Sequence, residues 1–153
     1  NINNYYGYID NKVFGKYHMG CTNYAPVLKD VQKKYIKEEP ANLPNYIIFI
    51  TDGNNYDRAD TTKIITDMSK DPIFIQFIGI GNDNFTYLED LDEINGRYVD
   101  NANFFALPDI INIQDNELYS LLLKEYPQWL DYPEVKQMIK NQDKKGFFSK
   151  LFG

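Results

Sequence analysis

Two oxygen-bearing side chains, Thr22 and Asp52, stand where they could help to bind a divalent metal ion. Asp52 is part of Thr51-Asp52-Gly53, directly after a continuous apolar run, and Thr22 precedes a segment with helical apolar spacing. Carboxylate and hydroxyl oxygens are hard ligands that suit Mg²⁺, which usually keeps several of its waters. Each residue alone has a simpler interpretation. Asp52 would bond to its own loop backbone, and Thr22 or Asn23 would cap the helix.

The apolar pattern predicts the elements that must position these residues. Continuous apolar runs predict buried strands over 46–50 and 73–80, and a third short strand follows over 103–107. Periodic apolar positions predict helices over 24–38, 58–70, 85–94, 116–126 (with Asp115 as N-cap) and from 133 to about 141.

This alternation predicts a three-layer α/β fold, with a mostly parallel sheet flanked by helices in a Rossmann-like arrangement. Ligands of such sheets bind beyond the carboxyl ends of the strands. The polar loops 52–57 and 79–84 therefore form the predicted binding edge.

The bulk composition excludes several classes of protein. The chain has 153 residues, of which 43% are apolar, so it fits one globular domain. Its net charge of −6, spread along the chain, argues against nucleic-acid binding, which needs clustered Lys and Arg. No apolar run is long enough for a transmembrane segment, and the start does not resemble a signal peptide. With a single cysteine, Cys21, these features predict a reducing, cytoplasmic location.

Several ordered motifs resemble a known family. The stretches 20–27 and 48–53 resemble the second half of a von Willebrand factor A domain, in the branch of bacterial tellurium-resistance and stress-response proteins. Further matching stretches are 72–81, 85–92, 96–105, 117–122 and 125–130, so the resemblance covers roughly residues 4–130. It implies a partial domain of this type over residues 1–142, lacking the first strands, followed by a tail over 143–153. It also implies a binding module and not an enzyme.

By the same resemblance, Thr22 and Asp52 are two parts of the family's metal-ion-dependent adhesion site. The first part, an Asp-x-Ser-x-Ser loop, is not found, because Asp71 stands where the stretch beginning at Asp67 would need its second Ser. The family pattern would place that loop upstream of Asn1, and we expect the chain to need that segment for stability. The predicted rim of the site, where a partner would touch, consists of Asn23, Gly53, Asn54, Asn82 and Asp83.

The resemblance implies a function that depends on a metal and a protein partner. Mg²⁺, or another divalent cation, would keep an open coordination position at the sheet edge, and a carboxylate from the partner would complete it. This binding site depends on the Asp-x-Ser-x-Ser loop.

Three alternatives remain open at this stage. A metal-free scaffold is compatible with Cys21, which stands where the family usually has Gly. A phosphohydrolase would use Asp52 as nucleophile, although such enzymes carry a second Asp where Asn54 stands here. A soft-metal pair of His18 and Cys21 would need two further ligands.

Overall fold

The computed structural model describes residues 22–38, 43–53, 55–109 and 111–152, with the backbone alone for 143–152. Its strands are β1 (Asn45–Thr51), β2 (Ile73–Ile80) and β3 (Ala102–Leu107). Its α-helices are α1 (Ala25–Gln32), α2 (Arg58–Met68), α3 (Thr86–Asp92), α4 (Asp115–Leu122), α5 (Tyr126–Asp131) and α6 (Pro133–Phe152), and a π-helical stretch, Lys33–Glu38, continues α1.

The three described strands form one parallel sheet in the order β1-β2-β3. Asn45 of β1 pairs with Ile73 of β2, and Ile75 of β2 pairs with Ala102 of β3. All residues of β2 except the last are buried, as the continuous apolar run predicted. The predicted α/β fold, a parallel sheet flanked by helices, is confirmed.

One face of the sheet carries the larger core. Phe49, Phe77 and Phe104, whose side chains share this face, pack with the buried residues of α1, α2 and α3. The buried helical side chains are Ala25, Leu28, Ile64, Ile65, Met68, Tyr87, Leu88 and Leu91. These three helices therefore cover one face of the sheet.

The opposite face carries a smaller, aromatic core near the amino ends of the strands. Phe74 of β2 packs with Trp129 of α5 and with Val135 and Met138 of α6. Tyr46 of β1 stacks on Phe74, with ring centroids 5.8 Å apart. Helices thus cover both faces, which gives the predicted three layers.

A pair of buried amides joins β2 and β3. Gln76 and Asn103 are register partners and are 0% and 1% exposed. The side-chain amide of Asn103 donates to Oε1 of Gln76 over 3.2 Å, and the amide of Gln76 donates to the carbonyl of Asn103 over 3.1 Å. Polar groups buried at this depth need such partners.

Three predictions about helix ends are wrong. The helix predicted over 116–126 ends earlier, at Leu122, and a helix that was not predicted, α5, begins at Tyr126, where Pro127 suits the first turn. Asp115 is the first residue of α4, and the N-cap position belongs to Gln114. Helix α6 continues past 141 to Phe152, since no proline interrupts it. No helix in the described ranges is long and apolar enough to cross a membrane.

Candidate binding site at the carboxyl edge of the sheet

Thr22 and Asp52 lie on two loops that meet at the carboxyl end of β1. Both side chains are exposed. The backbone N–H of Tyr56, in the loop after β1, donates to the carbonyl of Thr22 over 3.0 Å. The structure therefore brings together the two loops that the sequence marked as a metal-binding pair.

Tyr24 fastens the start of α1 to the end of β1. Its hydroxyl lies 2.6 Å from Oγ1 of Thr51 and donates to the carbonyl of Gly53 over 2.6 Å. The ring packs against Phe49, with a centroid separation of 4.8 Å, and the residue is only 1% exposed. Burial raises the pKa of Tyr24; the hydrogen bond from Thr51 opposes this, and the nearby negative charge of Asp52 adds to it. The charge of Asp52 therefore contributes to the raised pKa of this buried hydroxyl.

Asp57 makes the second connection between the loops. Its carboxylate accepts hydrogen bonds from the backbone N–H groups of Tyr24 and Ala25, over 3.0 and 2.8 Å. Asn55 and Thr61 donate to the same carboxylate over 2.9 and 3.0 Å. Asp57 occupies the N-cap position of α2 but caps the amino terminus of α1, where the first backbone N–H groups lack helical partners.

The charge state of Asp57 follows from these contacts. Partial desolvation pushes its pKa upward, but the hydrogen bonds from Tyr24, Ala25, Asn55 and Thr61 outweigh that effect and lower the pKa below its usual value. Asp57 is therefore fully ionised near neutral pH.

We refer to Tyr24, Thr51, Asn55, Asp57 and Thr61 as the edge network.

A third loop reaches the same edge from the end of β2. A Cβ atom added to Gly53 would lie 2.3 Å from Oδ2 of Asp83, so the carboxylate of Asp83 lies directly against the backbone of Gly53. Gly79 has a related role, since a Cβ there would lie 2.8 Å from the ring of Phe85. Asp83 and Gly53, both predicted as rim residues, are thus neighbours. Asn23 and Asn82 are exposed, as a rim requires, and Asn54 lies outside the described residues.

The donor atoms at this edge suit a hard divalent cation in type but are too few in number. The hydroxyl of Thr22 and the carboxylates of Asp52 and Asp83 are all oxygen donors of the kind that Mg²⁺ prefers. Within the described ranges, however, no three Asp, Glu, His or Cys residues are grouped so that they could hold a metal ion. A complete metal site would need ligands from other residues. Cys21 and His18, the alternative soft-metal pair, also lie outside the described residues.

The simpler interpretations of Thr22 and Asn23 as helix caps are wrong. The N-cap residue of α1 is Tyr24, which makes no side-chain capping bond, because Asp57 serves the free N–H groups instead. At the turn after β1, the Gly53 N–H donates to Oγ1 of Thr51 over 3.4 Å. The carboxylate of Asp52 is left facing solvent.

Sequence reasoning missed Asp57. Its one local signal was an acidic residue directly before a helix, which indicates an N-cap of that same helix. The partner it caps begins 33 residues earlier in the chain. No periodic pattern reports a contact of that kind.

Comparison with known proteins agrees with this architecture. Residues 1–139 match the family described as the vWA domain found in the C terminus of TerF. The chain is also 41% identical over 156 aligned positions to the uncharacterized protein YcbR of Bacillus subtilis (strain 168). That match covers 95% of the chain but 63% of the length of the relative. The chain therefore belongs to the vWA-TerF-like family.

Proposed function

We propose that the chain is a protein-binding module of a bacterial stress or tellurium-resistance system, and that it acts in the cytoplasm without catalysing a reaction. The observation that carries this proposal is the edge network, which holds the loops of Thr22 and Asp52 together at the ligand-binding end of a parallel sheet. The exposed carboxylate and amide groups on these loops are oriented outward, where a partner can reach them.

The proposed partner is a protein that presents a carboxylate. A direct approach of that carboxylate to Asp52 and Asp83 would be repulsive, so the proposal includes a divalent cation, Mg²⁺ or a similar ion. Thr22 and Asp52 would contribute oxygen donors to it, with further ligands from residues outside those described. When bound, the ion would offset the acidic charge of the edge and leave a position for the partner's carboxylate.

A metal-free scaffold is the second candidate, and one observation favours it. The two loops are already joined by Tyr24, Asp57 and the bond from Tyr56 to Thr22, so they need no ion to hold them together. In that case the partner would offer hydrogen-bond donors or cations to the acidic edge, and binding would not respond to chelation.

Paramagnetic relaxation separates the two candidates. Mn²⁺ stands in for Mg²⁺ because both prefer oxygen ligands. If the metal-dependent proposal is correct, Mn²⁺ broadens the backbone amide signals of Asp52 and Gly53 first, and Mg²⁺ reverses the broadening. Asp52→Ala should abolish this effect, whereas Asp115→Ala, an exposed acid at the start of α4, should leave it unchanged. Equal broadening in the Asp52 variant would make the metal assignment wrong and favour the scaffold.

Two further measurements test the wider proposal. Co-purification of one protein with the wild-type chain, lost in Asp52→Ala and retained in Asp115→Ala, would support a binding function at this edge. Hydrolysis of a generic phosphate ester that disappears in Asp52→Asn would contradict it and support the phosphohydrolase alternative. Asp52 lies at the end of a strand, where such a nucleophile stands. The second acid that those enzymes carry two residues later is Asn54 in this chain.

A further inference from the structure

The sequence contains a single Asn-Gly pair, Asn95-Gly96, in the loop between α3 and β3. Both residues are exposed and lie at a turn. Gly96 has a φ of +90°, a conformation that glycine adopts without strain and other residues rarely adopt. A side-chain amide is attacked most easily by the next backbone nitrogen when that nitrogen belongs to glycine, because glycine has no Cβ to obstruct the approach.

The reaction that this pair allows is an intramolecular substitution at the side-chain amide. The backbone nitrogen of Gly96 loses its proton and attacks Cγ of Asn95, which closes a succinimide ring and releases the side-chain nitrogen as ammonia. Water then adds to one of the two ring carbonyls and opens the ring. Opening at one carbonyl gives aspartate. Opening at the other gives isoaspartate, in which the main chain runs through the former side-chain carbon.

The fold leaves the reacting atoms free. In the part of the chain that the structure describes, neither Asn95 nor Gly96 makes a hydrogen bond through its side chain or its backbone. A Cβ atom built on Gly96 would meet nothing within 4 Å, so open space surrounds this peptide unit. A local rotation can therefore bring the nitrogen of Gly96 to Cγ of Asn95, because few contacts oppose such a motion in an exposed turn.

Other exposed asparagines are held in ways that oppose the same reaction. Asn23 precedes Tyr24, whose backbone N–H donates to the carboxylate of Asp57 over 3.0 Å. Asn116 precedes Glu117, whose backbone N–H donates to Oδ1 of Asn116 over 3.0 Å. In both pairs the attacking nitrogen is engaged, and the residue that carries it has a Cβ atom. Asn95 therefore differs from them in structure as well as in sequence.

The product at position 95 would affect the residue two positions later, Arg97. The Arg97 side chain is 6% exposed and its guanidinium lies 2.8 Å from the carboxylate of Asp100. It also donates to the carbonyls of Asp92 and Ile94. Isoaspartate adds one carbon to the main chain between Ile94 and Arg97, so these contacts cannot all be kept. An ordinary aspartate adds a negative charge without lengthening the chain.

We propose that Asn95 is a site of spontaneous deamidation, and that the isoaspartate formed there loosens the contacts of Arg97. The modification needs no enzyme or cofactor and consumes only water. It does not depend on the proposed binding function, since Asn95 lies before β3 and not on the loops of Thr22, Asp52 and Asp83.

The experiment ages the purified chain in mildly acidic and mildly alkaline buffers and follows each asparagine by peptide mass spectrometry. We expect Asn95 to deamidate at least about tenfold faster than Asn23 or Asn116, and faster in alkali, because the attack requires loss of the Gly96 amide proton. Unfolding in urea should change the rate at Asn95 by less than about threefold, because the fold does not protect it. Methyl transfer from S-adenosylmethionine by an isoaspartyl carboxyl methyltransferase detects the isoaspartate.

Two variants complete the design. Asn95→Gln would have to close a larger ring, so it should yield no methyl-accepting product at this position. Asn95→Asp has the added charge but a normal main chain. The amide of Tyr98 donates to Oγ of Ser69 over 2.8 Å, and it should exchange its hydrogen at least about fivefold faster in the isoaspartyl chain than in Asn95→Asp.

Each part of the proposal has an outcome that overturns it. Absence of deamidation at Asn95, equal rates at Asn95 and Asn116, a rate that does not rise with pH, or a rate that rises far more than about threefold in urea would overturn the modification site. Equal hydrogen exchange at Tyr98 in the isoaspartyl chain and in Asn95→Asp would overturn the effect on Arg97.

Discussion

Asp57 and Asp92 are acidic residues at opposite ends of the same sheet, and their surroundings have opposite effects on them. Four hydrogen-bond donors converge on Asp57, so its pKa lies below the usual value. Burial and the carboxylates of Glu125 and Asp100 raise the pKa of Asp92 to about 6. The surroundings of a carboxylate therefore decide whether folding favours its ionised form. Asp57 gains hydrogen bonds from the fold, whereas the surroundings of Asp92 disfavour its negative charge.

The strongest test of this comparison is Asp57→Ala. The substitution leaves the N–H groups of Tyr24 and Ala25 without their acceptor and removes the bonds from Asn55 and Thr61. We expect the free energy of unfolding to fall by about 3 kcal/mol, combining a lost helix cap with lost charge-assisted hydrogen bonds. Urea denaturation at pH 7 measures it. Asp60→Ala, on the exposed side of the same helix, should cost less than about 0.5 kcal/mol. Equal effects would show that Asp57 is an ordinary surface acid.

The same variant has a defined pH dependence. Because the folded-state pKa of Asp57 is lowered, its contribution is complete above the unfolded value near 3.8 and is lost as the pH falls through the folded value. The difference between wild type and Asp57→Ala should therefore be constant near neutral pH and shrink below about pH 4.

A smaller effect is expected for Tyr24→Phe, which keeps the ring against Phe49 but removes the hydroxyl. The carbonyl of Gly53 then loses its shorter hydrogen bond and keeps the 3.3 Å bond from the hydroxyl of Thr51, and Thr51 loses a hydrogen-bond partner. We expect a loss of about 1 kcal/mol in the free energy of unfolding. The amides of Asp52 and Gly53 should also exchange their hydrogens faster, because the loop is less restrained. Unchanged exchange at these two amides would show that Tyr24 does not hold the loop.

An effect of similar size but opposite sign is expected for Asp92→Asn. A raised folded-state pKa means that ionised Asp92 destabilises the fold above about pH 6, and that this cost disappears below the unfolded value near 3.8. The neutral amide should therefore raise the free energy of unfolding at pH 7.5 by about 1 kcal/mol, after allowance for solvent screening, and have little effect at pH 3.5. Thermal melts at both pH values measure it. Destabilisation at pH 7.5 would break the contrast with Asp57.

The sequence was sufficient for the parts of the molecule that depend on local pattern. The run from Ile73 to Ile80 predicted β2 without error, because a strand buried on both faces leaves a continuous apolar signal. The pairing of the loops of Thr22 and Asp52 followed from the resemblance to the family. The three-layer fold followed from the order of helices and strands.

The parts that the sequence did not predict depend on contacts between distant residues. The bonds from Asp57 to the start of α1 span more than 30 positions, and no residue near α1 signals them. The exposed acids of α3 and the partly buried Asp92 are alike in sequence, and only the packing of α5 against the sheet separates them. The end of α4 at Leu122 was not predicted, because apolar residues continue beyond it at Leu123 and Tyr126.

The buried pair of Gln76 and Asn103 has a consequence for how the sheet assembles. Strands β2 and β3 are both rich in apolar residues, and a slip of two residues between them would keep each side chain on its own face of the sheet. Such a slip would separate the two amides and break the hydrogen bonds between them, at a cost of about 1–3 kcal/mol per group left unsatisfied. The pair therefore discriminates between alignments that hydrophobicity alone would treat as equal, so that β2 and β3 have one preferred register.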